Sequence, residues 1–174
     1  MFFKRVLTSA LATLAVLGGA ATANAADDWP SRPIRIVVPY PAGGSSDIIA
    51  RLISQQLGAA HKQTVIVDNR PGANGNLGAS QVAQATDQHT FLLCDVGALA
   101  ISPSVYKTLT FDPSKDLRGV SMLAYSPHIL AVNPSVPANT LSELVSLAGK
   151  QPISFAVTAI GSAPHLAGVA VEQA

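Results

Sequence analysis

Cysteine is nearly missing from this chain: Cys94 is the only one among 174 residues, so no intrachain disulfide can form. Charge is scarce as well. Asp, Glu, Lys and Arg make up 12% of the residues, 11 basic against 10 acidic. A disordered or acidic-tail protein carries far more, and a protein that coats nucleic acid or anionic lipid needs a basic field that this chain does not have. No apolar run reaches the ~18–20 residues that a membrane-crossing helix requires. The motifs of harder chemistry are missing too. There is no G-K-[ST] phosphate loop, no H-E-x-x-H and no cysteine cluster with zinc spacing. Gly72-x-x-Gly75-x-x-Gly78 places its second glycine one position late for a dinucleotide fingerprint, and Gly161-Ser162-Ala163-Pro164 lacks the second glycine of a nucleophile elbow. His61, His89 and His128 lie far apart and show no ligand spacing. No metal, no cofactor and no catalytic residue is expected, and no nucleic-acid partner.

What is present begins with an address. Lys4 and Arg5 precede the apolar run Val6–Gly19, and Ala23-Asn24-Ala25 forms a small-residue cleavage site. This pattern predicts a cleaved signal peptide over residues 1–25, a mature chain starting near Ala26 and a periplasmic location. Without Lys4 and Arg5 the balance becomes nine basic residues against ten acidic, a net charge of −1. Cys94 closes the apolar run Phe91-Leu92-Leu93, which suits a buried, inert thiol better than a nucleophile.

The rest alternates strand, loop and helix. Ile34–Val38 is a β-branched run stopped by Pro39. Ile48, Ile49, Leu52, Ile53 and Leu57 then follow helical spacing up to Gly58. Thr64–Val67 predicts a second strand, Leu77–Ala85 a second helix and Thr90–Cys94 a third strand. Near-continuous apolar strands between helices predict an α/β protein with a parallel sheet, whose ligands sit beyond the carboxyl ends of the strands. Prolines between Pro103 and Pro137 mark a crossover towards a second lobe. Further on, Thr140-Leu141-Ser142-Glu143 has capping-box form and opens a helix closed at Gly149. Ile153–Val157 predicts a strand, and a helix starts near His165.

Three strand-to-helix loops carry the chemical interest: 40–46, 68–76 and 158–164. They are rich in Gly, Ser, Asn and Pro, and each presents backbone N–H groups at a helix N-terminus, where the dipole favours negative charge. The first and third contain no Lys or Arg. Neutral donors suit reversible capture of a carboxylate, whereas holding a phosphate through a reaction usually adds a fixed cation or a metal. At single positions two readings stand. Asp47 fits capping of its helix better than catalysis. Arg70 has a ligand carboxylate or Asp68 as partner, His165 a ligand or a helix-start role, and Asp95 a place in the cleft or a turn cap. From another class, a hydrolase using Ser45 or Ser162 rests on loop serines alone.

The loop sequences carry a resemblance. Pro33-Ile34-x-Ile36-Val37-Val38-Pro39-Tyr40-x-Ala42-Gly43-Gly44-x-x-Asp47-x-x-Ala50-Arg51 is similar to the opening signature of the Bug-type extracytoplasmic solute receptors of tripartite tricarboxylate transporters. Val67-x-Asn69-Arg70-Pro71-Gly72-Ala73-x-Gly75-x-x-Gly78, Asp112-Pro113-x-x-Asp116-Leu117 and Gly161-Ser162-x-x-His165-Leu166-Ala167-Gly168 match three further blocks, in order, from Trp29 to Glu172. The resemblance implies a monomeric, two-lobed periplasmic binding protein that closes on a small carboxylate, a di- or tricarboxylate or an acidic amino acid, and works with membrane transporter subunits. Carried over by position, the first loop contributes Tyr40, Ala42, Gly43, Gly44, Ser45 and Asp47, the second Arg70, Gly72, Ala73 and Gly75, the third Gly161, Ser162 and His165; Asp95 lines the cleft. The lobes are expected at 26–115 and 116–174. Family members are longer, so the chain reads as an incomplete N-terminal portion, with a non-binding remnant as the competing expectation. The family's P-D-G-Y-T turn is replaced by Thr86-Asp87-Gln88-His89-Thr90, which puts the geometry of that turn in question.

Overall fold

The central strand explains the arrangement. In the computed structural model, which describes residues 29–173, β1 (Ile34–Val38) lies between β2 (Val65–Asn69) and β3 (Thr90–Leu92), both parallel to it. The expected signal segment 1–25 lies outside the described residues. All that follows concerns the compact unit that begins at Arg32. Ile34 pairs with Val65 and Val38 with Asn69 on one side, and Arg35 with Thr90 on the other. A strand flanked on both edges needs no polar face, and Ile34, Ile36, Val37 and Val38 are buried. Each such burial contributes about 1.5–3 kcal/mol.

Helix α1 (Ser45–His61) covers one face. Ala50, Ile53 and Leu57 pack on Ile34, Ile36 and Val38, while Ile48 and Leu52, which the helical spacing also marked as apolar, face outward. Gly58 does not end this helix. It continues to His61, and Lys62 adopts the left-handed conformation (φ 51°) and donates its N–H to Gly58 O. Gly58 is needed for another reason: a Cβ there would sit 3.2 Å from Gln63 O, where the chain turns back.

On the far side, a 3-10 turn (Ala73–Gly75) leads into α2 (Asn76–Ala83), and a π-helical turn (Gly97–Ile101) into the short α3 (Ser102–Val105). Ala79 of α2, Ala98 and Phe111 form a second small core with Ala83, Leu92 and Leu117.

Beyond Asp116 regular structure thins. Residues 117–139 contain no helix or strand. The capping box forms as the sequence predicts: at the head of α4 (Leu141–Ala148), Glu143 N–H donates to Thr140 Oγ1 at 3.2 Å and Glu143 Oε2 accepts from Thr140 N–H at 3.3 Å. Helix α5 spans Ala163–Glu172. The predicted strand Ile153–Val157 is not one: no ladder forms there. Its apolar pattern is real, but no strand among the described residues lies beside it, and a strand exists only through its partner.

Candidate functional site

The first two loops and the segment after β3 leave the sheet at one level because the ladders on both sides of β1 run out together. Arg70 N–H donates to Val38 O at 2.8 Å and Leu93 N–H to Val37 O at 3.0 Å. After these bonds the chain is free to turn, first into 39–44, then into 70–75, then into 94–98.

In the first loop Gly43 has φ 85° and Gly44 precedes the first turn of α1. Asp47 lies in that turn, 3% exposed. Its Oδ2 accepts from Gly43 N–H and from Arg51 Nε, each at 2.9 Å. The Arg51 bond first and the Gly43 N–H next hold its carboxyl at about 2. Asp47 therefore serves as the anion at its own helix N-terminus. Asn69, at the end of β2, donates to Tyr40 O at 3.1 Å and accepts from Arg51 at 3.4 Å, which fastens the first loop to the second strand. Ala42, Gly43, Gly44 and Ser45 remain exposed.

The second loop is strained. Gly72, Ala73, Asn74 and Gly75 have φ of 139°, 48°, 54° and 88°, and left-handed geometry costs a non-glycine residue roughly 1–2 kcal/mol. The buried Asn74 side chain offsets part of this cost by donating from Nδ2 to Gly161 O at 2.9 Å, 87 residues away. Gly97 makes room for it, since a Cβ there would lie 3.0 Å from Asn74 Nδ2 and 2.9 Å from Asp95 Oδ1. Asn76, the first residue of α2, is buried with neither amide atom bonded among the described residues. Buried polar groups of this kind are rare in folded proteins.

After β3, Asp95 Oδ1 accepts from Tyr40 Oη at 2.6 Å and from Gly97 N–H at 2.7 Å. The second bond is an Asx turn, so Asp95 caps a turn and also seats the tyrosine. Burial first, then the bond to Asp95, pushes the Tyr40 hydroxyl well above its usual range; it acts as a donor at any physiological pH. Gly75 lies against this pair: a Cβ there would come 3.2 Å from the Tyr40 hydroxyl. Burial, followed by the Asp95 charge, raises the Cys94 thiol to about 12. That is no nucleophile.

The third loop is held from below. Gly161 has φ 81°, and a Cβ would meet Val105 at 3.2 Å and Tyr106 at 3.3 Å. Ser162 caps α5 by accepting from His165 N–H at 3.3 Å, and Gly161 N–H donates to His165 Nδ1 at 3.3 Å. A serine occupied as a helix cap beside an imidazole engaged by backbone is not a nucleophile–base pair. Among the described residues no group of three His, Cys, Asp or Glu is placed to hold a metal.

The structure thus brings Tyr40, Gly75 and Asp95 into one cluster and ties the second loop to Gly161, Ser162 and His165 of the third. Arg70 stands apart. Its exposed guanidinium pairs with Asp68 at 3.0 Å, and Arg35 shares the same carboxylate. Sequence reasoning missed Asn74, Asn76 and Tyr106. An asparagine inside a glycine-rich loop is a signal for left-handed backbone and could have flagged the first; the other two carry no local sign.

An α/β fold with glycine-rich loops at the carboxyl edge of a parallel sheet is of the periplasmic-binding-protein type. The comparisons give the family. Residues 49–174 match the family model described as tripartite tricarboxylate transporter family receptor, and the chain belongs to that family. It is 37% identical over 163 residues to the protein BugT of Bordetella pertussis, covering 88% of this chain and 50% of BugT. Among solved structures it is similar to Rpa4515 of R. palustris with adipate (TM-score 0.72, 37% identity, 77% of this chain and 46% of that one). It is also similar to MatC (Rpa3494) from Rhodopseudomonas palustris with bound malate (TM-score 0.65, 32% identity, 70% and 42%). The chain spans about half the length of the curated relatives it matches. The family is one of solute-binding receptors rather than enzymes, which removes the hydrolase reading.

Proposed function

We propose that the protein is a periplasmic receptor that captures a small carboxylate, a di- or tricarboxylate or an acidic amino acid, between the first two loops and the third. One observation carries the reading: the buried Asn74 bond draws the second and third loops together at the sheet edge where Tyr40, Gly75 and Asp95 also meet. Backbone N–H groups of the 42–45 and 72–76 segments, with the Asn76 amide, supply neutral donors for one carboxylate. A ligand held by both sides favours the closed arrangement of lobes 26–115 and 116–174, by population shift and without bond chemistry. The adipate and malate held by the two Rhodopseudomonas proteins support this ligand class. Export through a cleaved segment 1–25, a monomeric state and delivery to the membrane subunits of a tripartite tricarboxylate-type transporter complete the proposal.

Titration calorimetry of the 174-residue chain against adipate, malate, succinate, citrate and glutamate tests it. The expected result is saturable heat with at least one of them, weakened about tenfold or more in Gly75→Ala, where the new methyl group enters the space of the Tyr40 hydroxyl and a positive φ resists it. Absence of binding by every carboxylate would sink the reading.

A further inference from the structure

The third loop owes its shape to two side chains from outside it. Tyr106 Oη donates to Ile160 O at 3.1 Å, and Asn74 Nδ2 donates to the next carbonyl, Gly161 O, at 2.9 Å. Two successive peptide units are therefore gripped by their oxygens. The peptide between Ile160 and Gly161 is held at its other end as well, because its N–H donates to His165 Nδ1 at 3.3 Å. A continuous line runs from the tyrosine hydroxyl through one peptide unit to the imidazole, and each bond in such a line polarises the next. Gly161 and Ser162 are buried, Gly161 is fixed at φ 81° against Val105 and Tyr106, and the Ser162 cap holds His165 at its own backbone. The ring itself is anchored through Nδ1.

A nitrogen that accepts from a backbone N–H cannot carry a proton. In a neutral imidazole the other nitrogen then does. His165 Nε2 makes no hydrogen bond among the described residues, so its N–H is the one uncommitted donor of the ring.

We propose that Tyr106 and Asn74 are positioning residues that, by gripping the Ile160 and Gly161 carbonyls, fix His165 as the neutral tautomer protonated on Nε2, which offers a single uncharged donor to an acceptor oxygen of the ligand. The assignment of an acceptor oxygen rests on the carboxylate reading; the tautomer and its control do not. The third loop then selects acceptor groups, such as a second carboxylate or a keto oxygen, against ammonium groups, through a residue whose orientation is set from the second loop.

The test is imidazole 15N NMR on the 174-residue chain without ligand, with His61, His89 and His128 as internal references. The expected spectrum shows His165 Nδ1 as an unprotonated acceptor and Nε2 as protonated. In Tyr106→Phe, which keeps the ring and loses one grip, and in Asn74→Ala, which loses the other, the His165 signals move towards a tautomer mixture while the other histidines stay in place. A proton on Nδ1 in the unaltered chain overturns the proposal, and so does a His165 pattern that neither variant moves. Should a variant fail to fold, the unaltered chain alone still decides the tautomer. Adding adipate or malate to the same samples separates the two ideas. A fixed Nε2–H tautomer that neither acid perturbs leaves the positioning intact and removes the carboxylate reading at this loop.

Discussion

At the scale of single residues, the turn before β3 shows what a missing glycine costs. Gln88 has φ 54°, the left-handed geometry of the position where the family pattern has glycine. The turn survives because Asp87 holds it: Oδ1 accepts from His89 N–H at 3.0 Å and Thr90 N–H at 2.9 Å, and Oδ2 from Thr90 Oγ1 at 2.8 Å. Gln88→Gly should raise stability by about 1 kcal/mol by removing that strain, read as a higher urea midpoint at unchanged slope. Asp47 makes a pH prediction. Its carboxyl is lowered from 3.8 to about 2 by Arg51 and Gly43, so the folded state favours the ionised form. The stability this adds is present above about pH 4 and is lost as pH falls towards 2. Unfolding of Asp47→Asn followed from pH 6 downward should show a stability gap from the unaltered chain that closes over this window. Cys94, raised to about 12 by burial, should react with a thiol reagent at pH 8 far more slowly in the native chain than in urea.

Elements were legible in the sequence where their cause is local. The β-branched run Ile34–Val38 reads as a strand and is one, and the Thr140–Glu143 box opens a helix as its pattern requires. Thr140→Ala should cost about 1 kcal/mol, visible in thermal unfolding. Where the cause is remote, reading failed. Gly58 looked like a helix stop but serves the returning chain at Gln63, and Ile153–Val157 has strand composition without a neighbouring strand. The candidate site divides in the same way. Its glycine-rich loops announced themselves, whereas Asn74 matters through a partner 87 residues on and Tyr106 through one 54 residues on, separations that leave no local periodicity. Gly97 belongs with them. Gly97→Ala would press a methyl group against Asn74 and Asp95 together, with an expected loss of about 1–3 kcal/mol and of carboxylate binding, measured by urea unfolding and calorimetry on the same sample.

The whole molecule is unevenly held. Residues 34–93 share one sheet and its helices, whereas Val120, Met122, Tyr125 and Ile129 lie exposed in a stretch with no helix or strand. Few buried contacts and no ladder mean easy local opening. Brief chymotrypsin treatment should cut at Met122, Leu123 or Tyr125 well before Leu92 or Phe91; first cuts inside β1–β3 would contradict this account. The parallel ladder around β1 carries a historical consequence. Because the first two loops and the segment after β3 each spring from their own strand, and both ladders end at Val37 and Val38, a changed residue beyond those ends leaves the pairing of β1–β3 in place. A lineage built on this sheet can retune its appetite for solutes beyond the ladder ends, but Asn69, Asn74 and Gly97 oblige neighbouring segments to change together.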